Sequence, residues 1–562
     1  MISKVQKCYL ESVFRRGIYS EESSFYADSF LLRGGKCLNC ATLNSHTKLT
    51  LHKTIILMQT QLTKAVDSDF ADFIQHFEQV LRRVFHEEGD IGQMSQERGL
   101  PEHVRKAIMD TVPLSVAIPS EYGGRGAYVK ECLSVLSAAS YESLPLSLTF
   151  GINIALFLEP LAKYGQEDMK VSIFKDFLEN QRMGGLMITE PDFGSDALNM
   201  RTSYRENEAG YHVTGVKHWQ GLTGLADYWV IASRKENDKG ELARDLDFFL
   251  SDVSKPGQKI VVEEVFDNAG LYMIPYGRNI LDLQLPHHNR LQPESTGIKM
   301  MLDILHRSRL QFPGMGMGFT KRLMDEAMQH CETRMVGKSN LKALDQVQYQ
   351  LSRMQSAYTL TSAMCARSCD ISSINHNLAT NGLEANSMKA VVTDLMQESA
   401  NHLVQLSGAN GYRMSHIGGR GIMDSRPFQI FEGSNEMLYS QIAEMVLKAM
   451  KVKKIQNLFE FVKDHAIMGK AAGHFSKELN FSVANVTLQR KMVDVGRIIG
   501  RVVCAEYVIS LAERGFNKEL ADNCIKHVQQ EIHTLASTIQ FDNQVNAIET
   551  YTENSAWWKF VI

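Results

Sequence analysis

At 562 residues the chain is too long for one hydrophobic core, so several packed layers or domains are expected. Sixty Lys and Arg against 64 Asp and Glu leave a net charge of −4, so no basic field recommends a nucleic-acid partner. Nine cysteines, an odd number without a framework, favour a reducing compartment, and no apolar run of about 18 residues predicts a membrane-spanning helix.

Residues 1 to about 57 carry no sustained period, and 1–60 read as a dispensable tail. Two further readings stand beside that one: a mitochondrial presequence, and a true start at Met58. Cys37 and Cys40 form a lone C-x-x-C pair with no second pair or His partner, so no metal is expected. From Asp67 the pattern turns helical. Phe70, Phe73, Ile74, Phe77, Val80, Leu81 and Val84 recur at three and four, the spacing of one buried face. Another helix follows Pro101, then a Pro/Gly turn at 116–126, and helices over 129–140, 144–161 and 167–180. These make a helical domain over 61–186.

Strand signals dominate 187–292. Val213 alternates with His212 and Thr214, and Leu281, Leu283 and Leu285 alternate with Asp282 and Gln284. Short strands broken by turns predict a compact antiparallel barrel or sandwich. Helix resumes over 293–450 as a four-helix domain, giving an α+β protein. Gly314, Gly316 and Gly318 read as close helix packing rather than a dinucleotide loop, because no strand feeds them. Residues 451–562 are helical again. Ala521, Ile525, Val528, Ile532, Leu535 and Ile539 form a narrow seam for packing on another helix, read as an extra layer of the same protein. Lys451, Lys453 and Lys454 are a solvated helix face.

Three stretches carry chemistry: M-I-T-E-P-D-F-G-S-D from Met187, G-V-K-H-W ending at Trp219, and Q-I-F-E-G-S-N-E from Gln429 to Glu436. The first is a polar loop in which Pro191 removes a donor and Gly194 permits close approach, and the indole of Trp219 ends the strand that follows. Together they form a seat for a large planar group. In the third stretch a carboxylate, Glu432, stands beside Phe431, where an apolar surrounding raises its proton affinity. These stretches resemble the acyl-CoA dehydrogenase family, whose flavin loop reads T-E-P-x-x-G-S-D, whose next strand reads G-x-K-x-W, and whose base lies in Y-E-G-T. The loop Pro119 to Gly126 matches the family's P-x-x-Y-G-G-x-G. The resemblance covers about residues 100–450.

The resemblance implies FAD as cofactor, an acyl-CoA substrate and an electron-transfer flavoprotein as acceptor. It implies a homodimer or homotetramer, located in the cytoplasm of a bacterium or the mitochondrial matrix of a eukaryote. Longer relatives with a helical C-terminal extension bring in peripheral membrane contact. Glu432 would abstract the α-proton and its own amide, with a flavin hydroxyl, would hold the thioester oxygen. Met187 and Thr189 would lie against the flavin ring, Ser195 near its pyrophosphate with Gly194, and Trp219 over its face. Arg334, in R-M-V-G-K, would reach the pyrophosphate of a neighbouring subunit. Gln405 and Gly408 would lie near the adenine, and Ser434 and Glu436 on the far side. Ser195, Phe431 and Gly433 would line the substrate.

The sequence departs from the family pattern at named positions. Gly221 stands where a Thr or Ser would bond the flavin's reactive nitrogen, Tyr439 replaces an Arg and removes a charge near the base, and the Arg334 loop is one residue short. Ser308 occupies the place where some relatives carry the base on an earlier helix, leaving Glu432 without a rival. An oxygen-using flavin oxidase on the same scaffold is the alternative in keeping with Gly221. A non-catalytic flavin or acyl-CoA binding protein is the other.

Overall fold

The structure, a computed structural model, describes residues 65–541 and 545–562; the tail at 1–60, Cys37, Cys40 and Met58 lie outside the described residues. The chain divides into two compact units, one ending at Met300 and one beginning at Met301.

In the first unit, helix α1 (Phe70–Arg82) starts where the Asp69 carboxylate accepts the Ala71 amide, and it continues through a π-turn over Arg83–Glu87. Phe73, Phe77, Val80, Leu81 and Val84 are buried on the face that their spacing marks out. Helices α2 (Glu102–Met109), α3 (Val129–Glu142), α4 (Leu144–Asn153) and α5 (Glu167–Asn180) follow. α4 runs on through a π-turn to Tyr164, and Leu144–Tyr164 is long and apolar enough to cross a membrane, yet 94% of its most apolar window is buried inside the fold. Asn153, Glu159 and Lys163 interrupt its apolar run, and its burial makes it a core helix of the fold. Gly124 lies so close to Ile118 that a Cβ there would sit 2.2 Å from its carbonyl oxygen.

The strands are β1 (Gly184–Met187), β2 (Ser203–Asn207), β3 (Gly210–Gly221), β4 (Tyr228–Lys235), β5 (Asp247–Asp252), β6 (Gln258–Val265) and β7 (Tyr276–Leu285). They form one seven-stranded sheet in the order β1-β4-β2-β3-β7-β6, with β5 on β4. The β-region is where the alternation puts it, and most ladders are antiparallel. β1 and β2, however, both run parallel to β4, the one connected to it through the β2–β3 hairpin and the other through β3. In β7, Leu281, Leu283 and Leu285 face the core.

In the second unit, α6 (Gly297–Arg309), within which the division between units falls, leads to α7 (Phe312–Thr333), α8 (Asp345–Ile371), α9 (Gly382–Ser407) and α11 (Asn435–Lys453), with the short α10 (Ile417–Ser425) between. The expected helical run is broken by a small hairpin of β8 (Met335–Val336) and β9 (Ser339–Asn340) around Gly337, whose φ is 63°. α7 packs on α8 and α9, and a Cβ at Gly316 would stand 2.2 Å from Val392 Cγ2, so that glycine serves helix packing. Beyond Lys453, α12 (Gln489–Glu513) lies against α8, α9 and α11, and α13 (Lys518–Gln540) lies against α8 and α12. Ala521, Val528, Ile532 and Ile539 of the predicted seam are buried in that packing, so the extension is a layer of the same fold.

Candidate functional site

The T-E-P loop and the G-V-K-H-W strand are stitched together by their own polar residues. Lys217 Nζ, without solvent exposure, donates to Glu190 Oε1 at 3.0 Å and to the Ile188 carbonyl at 2.9 Å. Glu190 also accepts the amides of Arg201 and Thr202 at 2.5 and 2.9 Å. Burial opposes the charge of both groups. It pushes the Lys217 ammonium down to about 8, whereas Lys217 and the amide donors hold the Glu190 carboxyl below its ordinary range. The Thr189 carbonyl accepts the amide of His218 at 2.9 Å, so the loop follows the strand's edge.

At that point β3 carries a bulge. His218 pairs with Arg278 and Gln220 with Gly277, which leaves Trp219 as the unpaired extra residue with φ 64°. The bulge turns the indole outward, 52% exposed and 4.5 Å from the Phe266 ring. On the loop, Ser195 and Gly194 are exposed and Thr189 is half-buried; a Cβ at Gly194 would meet nothing within 4 Å. Among the described residues no hydrogen bond engages the Thr189 or Ser195 hydroxyl. Met187 is completely buried, so it presents no surface of its own. At Gly221 a Cβ would sit 2.8 Å from Ile152 Cδ1 and 3.3 Å from Tyr276 Cε1.

In the second unit, the residues from Phe431 to Ser434 form a tight loop before α11. Glu432 takes φ 52° and Gly433 φ 94°. Glu432 Oε1 accepts the Ser308 hydroxyl at 2.8 Å, while Oε2 is sealed from solvent with no partner. Its amide is engaged by no hydrogen bond among the described residues. Arg309, on α6 next to Ser308, donates from Nη2 to the Glu432 carbonyl at 2.7 Å and from Nη1 to Asn386 at 2.7 Å. Lys389, on α9, donates to the Gly433 carbonyl at 2.8 Å and to Asn435 Oδ1 at 3.0 Å. Phe431 closes the apolar side with Phe428 and Phe312, ring centroids 4.9 and 6.1 Å away. Burial raises the Glu432 carboxyl above its ordinary range even though Arg309, the Ser308 hydroxyl and Lys389 pull it down. The same burial lowers the Lys389 ammonium to about 7 and the Arg309 guanidinium below its ordinary range. A carboxylate with one oxygen oriented and the other buried and unpaired beside aromatic rings is equipped to take a proton from carbon.

The structure therefore brings Phe431, Glu432, Gly433 and Ser434 together; Ser434 also caps α11 by accepting the Met437 amide. Glu436 is exposed in the first turn of α11. Arg334 is exposed at the start of the β8–β9 hairpin, and Gln405 and Gly408 are exposed at the end of α9, with Gly408 at φ 60° and open space where a Cβ would be. None of these three hydrogen-bonds to the Glu432 loop. Sequence reasoning missed Arg309, Lys389 and Asn435. The available signal was Asn386, Lys389 and Thr393, a polar stripe at helical spacing in an otherwise buried helix. Tyr439, which stands in place of the family's Arg, is buried and donates its hydroxyl to Asp394 Oδ2 at 2.7 Å.

Known proteins resemble this chain in sequence and in fold. The family models described as acyl-CoA dehydrogenase N-terminal, middle and C-terminal domains match residues 73–181, 185–282 and 295–447. An acyl-CoA dehydrogenase of Bacillus subtilis (strain 168) is 23% identical over 340 residues, spanning 59% of this chain and 86% of the relative. The structure of butyryl-CoA dehydrogenase from Megasphaera elsdenii superposes with a TM-score of 0.58 at 19% identity, over 68% of this chain and 100% of that one. An acyl-CoA dehydrogenase complexed with FAD from Bacillus anthracis superposes at 0.63 and 18% identity, over 91% of each chain, so the similarity of fold reaches into the C-terminal helices. The chain belongs to the acyl-CoA dehydrogenase family of FAD-dependent oxidoreductases.

Proposed function

We propose that the protein removes two hydrogens across the α,β bond of an acyl-CoA thioester, with Glu432 as the base. The observation that carries this reading is the unpaired, sealed Oε2 of Glu432 beside an oxygen anchored by Ser308. The α C–H bond breaks and its proton passes to Oε2. The charge that develops on the thioester oxygen is met by the amide of Glu432, which no hydrogen bond engages among the described residues. Arg309 and Lys389 hold the carbonyls of Glu432 and Gly433, so the loop keeps its shape as the carboxyl is protonated. Phe431 and Gly433 face the substrate in this reading.

The residues present fit FAD. The outward indole of Trp219, the unspent Thr189 and Ser195 hydroxyls and the open approach at Gly194 form a donor-rich seat for a planar group bearing phosphates. Arg334, Gln405, Gly408, Ser434 and Glu436 are assigned to the rest of the cofactor, Arg334 from a neighbouring subunit of a dimer or tetramer. Bound FAD supplies the acceptor for the hydride lost from the β-carbon and a hydroxyl for the thioester oxygen. Electron-transfer flavoprotein is assigned as the onward acceptor. A second reading, oxygen as that acceptor, is favoured by Gly221, where Ile152 and Tyr276 fill the place of a hydroxyl-bearing side chain.

The test is the visible spectrum of the FAD-loaded protein under anaerobic conditions, before and after a panel of acyl-CoAs. Bleaching by one chain-length class supports dehydrogenation, and rapid recolouring in air supports the oxidase. Glu432→Gln is expected to keep bound flavin and to lose at least about 100-fold in kcat. A colourless protein that takes up no FAD, or undiminished turnover in that variant, overturns the proposal.

A further inference from the structure

The helices beyond Lys453 have no part in the chemistry just proposed, yet they rest on it. α12 meets α11 backbone to backbone: a Cβ at Gly496 would stand 1.9 Å from the Tyr439 carbonyl oxygen, and one at Gly500 would touch the Tyr439 ring at 3.4 Å. The Arg497 guanidinium lies 5.7 Å from the centre of that ring. Tyr439, completely buried, donates its hydroxyl to Asp394 Oδ2 at 2.7 Å. The other oxygen of Asp394 accepts from Gln429 at 2.8 Å and from Asn435 at 2.7 Å. Those two residues stand three before and three after Glu432, so one carboxylate grips both ends of the base loop. Asn435 in turn accepts from Lys389, which donates to the Gly433 carbonyl. On the far side, Arg501 of α12 directs its charge at Asp394 and Tyr439, and its Nε donates to Glu531 of α13 at 2.5 Å.

We propose that Tyr439 and Asp394 are positioning residues for Glu432, held in place by α12 and α13, so that the C-terminal helices set the geometry of the base loop. This rests on Glu432 being the base. The hydroxyl of Tyr439 orients Asp394, Asp394 fixes Gln429 and Asn435, and Asn435 aims Lys389 at the loop. The groups facing Glu432 are Arg309 and Ser308 from α6 and Lys389 from α9. Those facing Lys389 are Glu432, Arg309, Asp394 and Glu436. Slackening the chain moves a cation away from Glu432, so the carboxyl is harder to ionise.

The experiment compares FAD-loaded wild type, Tyr439→Phe, Gln429→Leu and Glu432→Gln across a pH series, with amide hydrogen exchange over residues 429–437. Tyr439→Phe is expected to retain flavin and keep KM within about twofold while kcat falls at least about tenfold, as small misplacements of reacting groups do. The acid limb of its kcat/KM profile moves to higher pH, and the loop amides exchange faster. Gln429→Leu, at a half-buried position, shows the same signature more weakly and decides the matter if Tyr439→Phe fails to fold. Wild-type kcat, pH limb and exchange in the folded variants overturn the positioning role. Undiminished turnover in Glu432→Gln instead removes the base on which the proposal rests, and the exchange data still report whether Tyr439 orders the loop.

Discussion

At the scale of single residues, Glu432 combines a backbone and a side chain that the fold must hold against their preferences. A left-handed φ costs a non-glycine residue roughly 1–2 kcal/mol, and burial disfavours the charged form of its carboxyl. Because burial raises its folded pKa above the unfolded value, the stability this group contributes is present below its ordinary pKa and is lost as pH rises through the folded one. Glu432→Gln is therefore expected to melt higher than wild type at neutral pH, and the gain should disappear on acidification to the ordinary carboxylate range. Thermal denaturation of both proteins at several pH values checks this; a gain that persists at low pH contradicts it. Glu432 was legible in the sequence because Phe431, Gly433, Ser434 and Asn435 are its chain neighbours. Arg309 and Lys389 were not, because α6 and α9 bring them in from distant sequence, and a Lys or Arg on a helix is normally solvent-facing.

At the scale of elements, the T-E-P loop and β3 are one unit because Lys217 joins them. Removing one partner of a buried ion pair costs about 3–5 kcal/mol, so Lys217→Met is expected to lower stability by that order and to weaken FAD binding. Urea denaturation and flavin titration measure the two effects. Retention of both would show that the amide donors to Glu190 suffice. The alternation of β3 was readable, whereas the bulge was not. Nothing in His218-Trp219-Gln220 specifies that Trp219 drops out of the ladder; its partner β7, more than fifty residues later, decides it. The parallel pairing of β1 and β2 with β4 escaped the sequence reading for a related reason, since alternation shows which face is buried and not which neighbour lies alongside.

At the scale of the whole molecule, the extension is part of the second unit's packing. Ending the chain after Lys454 would uncover Tyr439 and the faces of α8, α9 and α11 that α12 covers. Such a truncation is expected to bind a hydrophobic dye and to be recovered mostly insoluble; a soluble, cooperatively melting product would show the extension to be a separable layer. In the first unit, the order of synthesis adds a demand of its own. Leu144–Tyr164 leaves the ribosome as a segment with the length and apolarity of a membrane span. The sheet that covers it, where Gly184 abuts Phe157 and Tyr228 lies against the same ring, is completed only at Leu285. At about 5–20 residues per second, the nascent chain carries that helix for several seconds with only the helices before it, α3 and the Phe77 face of α1, as cover. During that interval, chaperone capture and capture by a bilayer compete with folding for the same apolar surface.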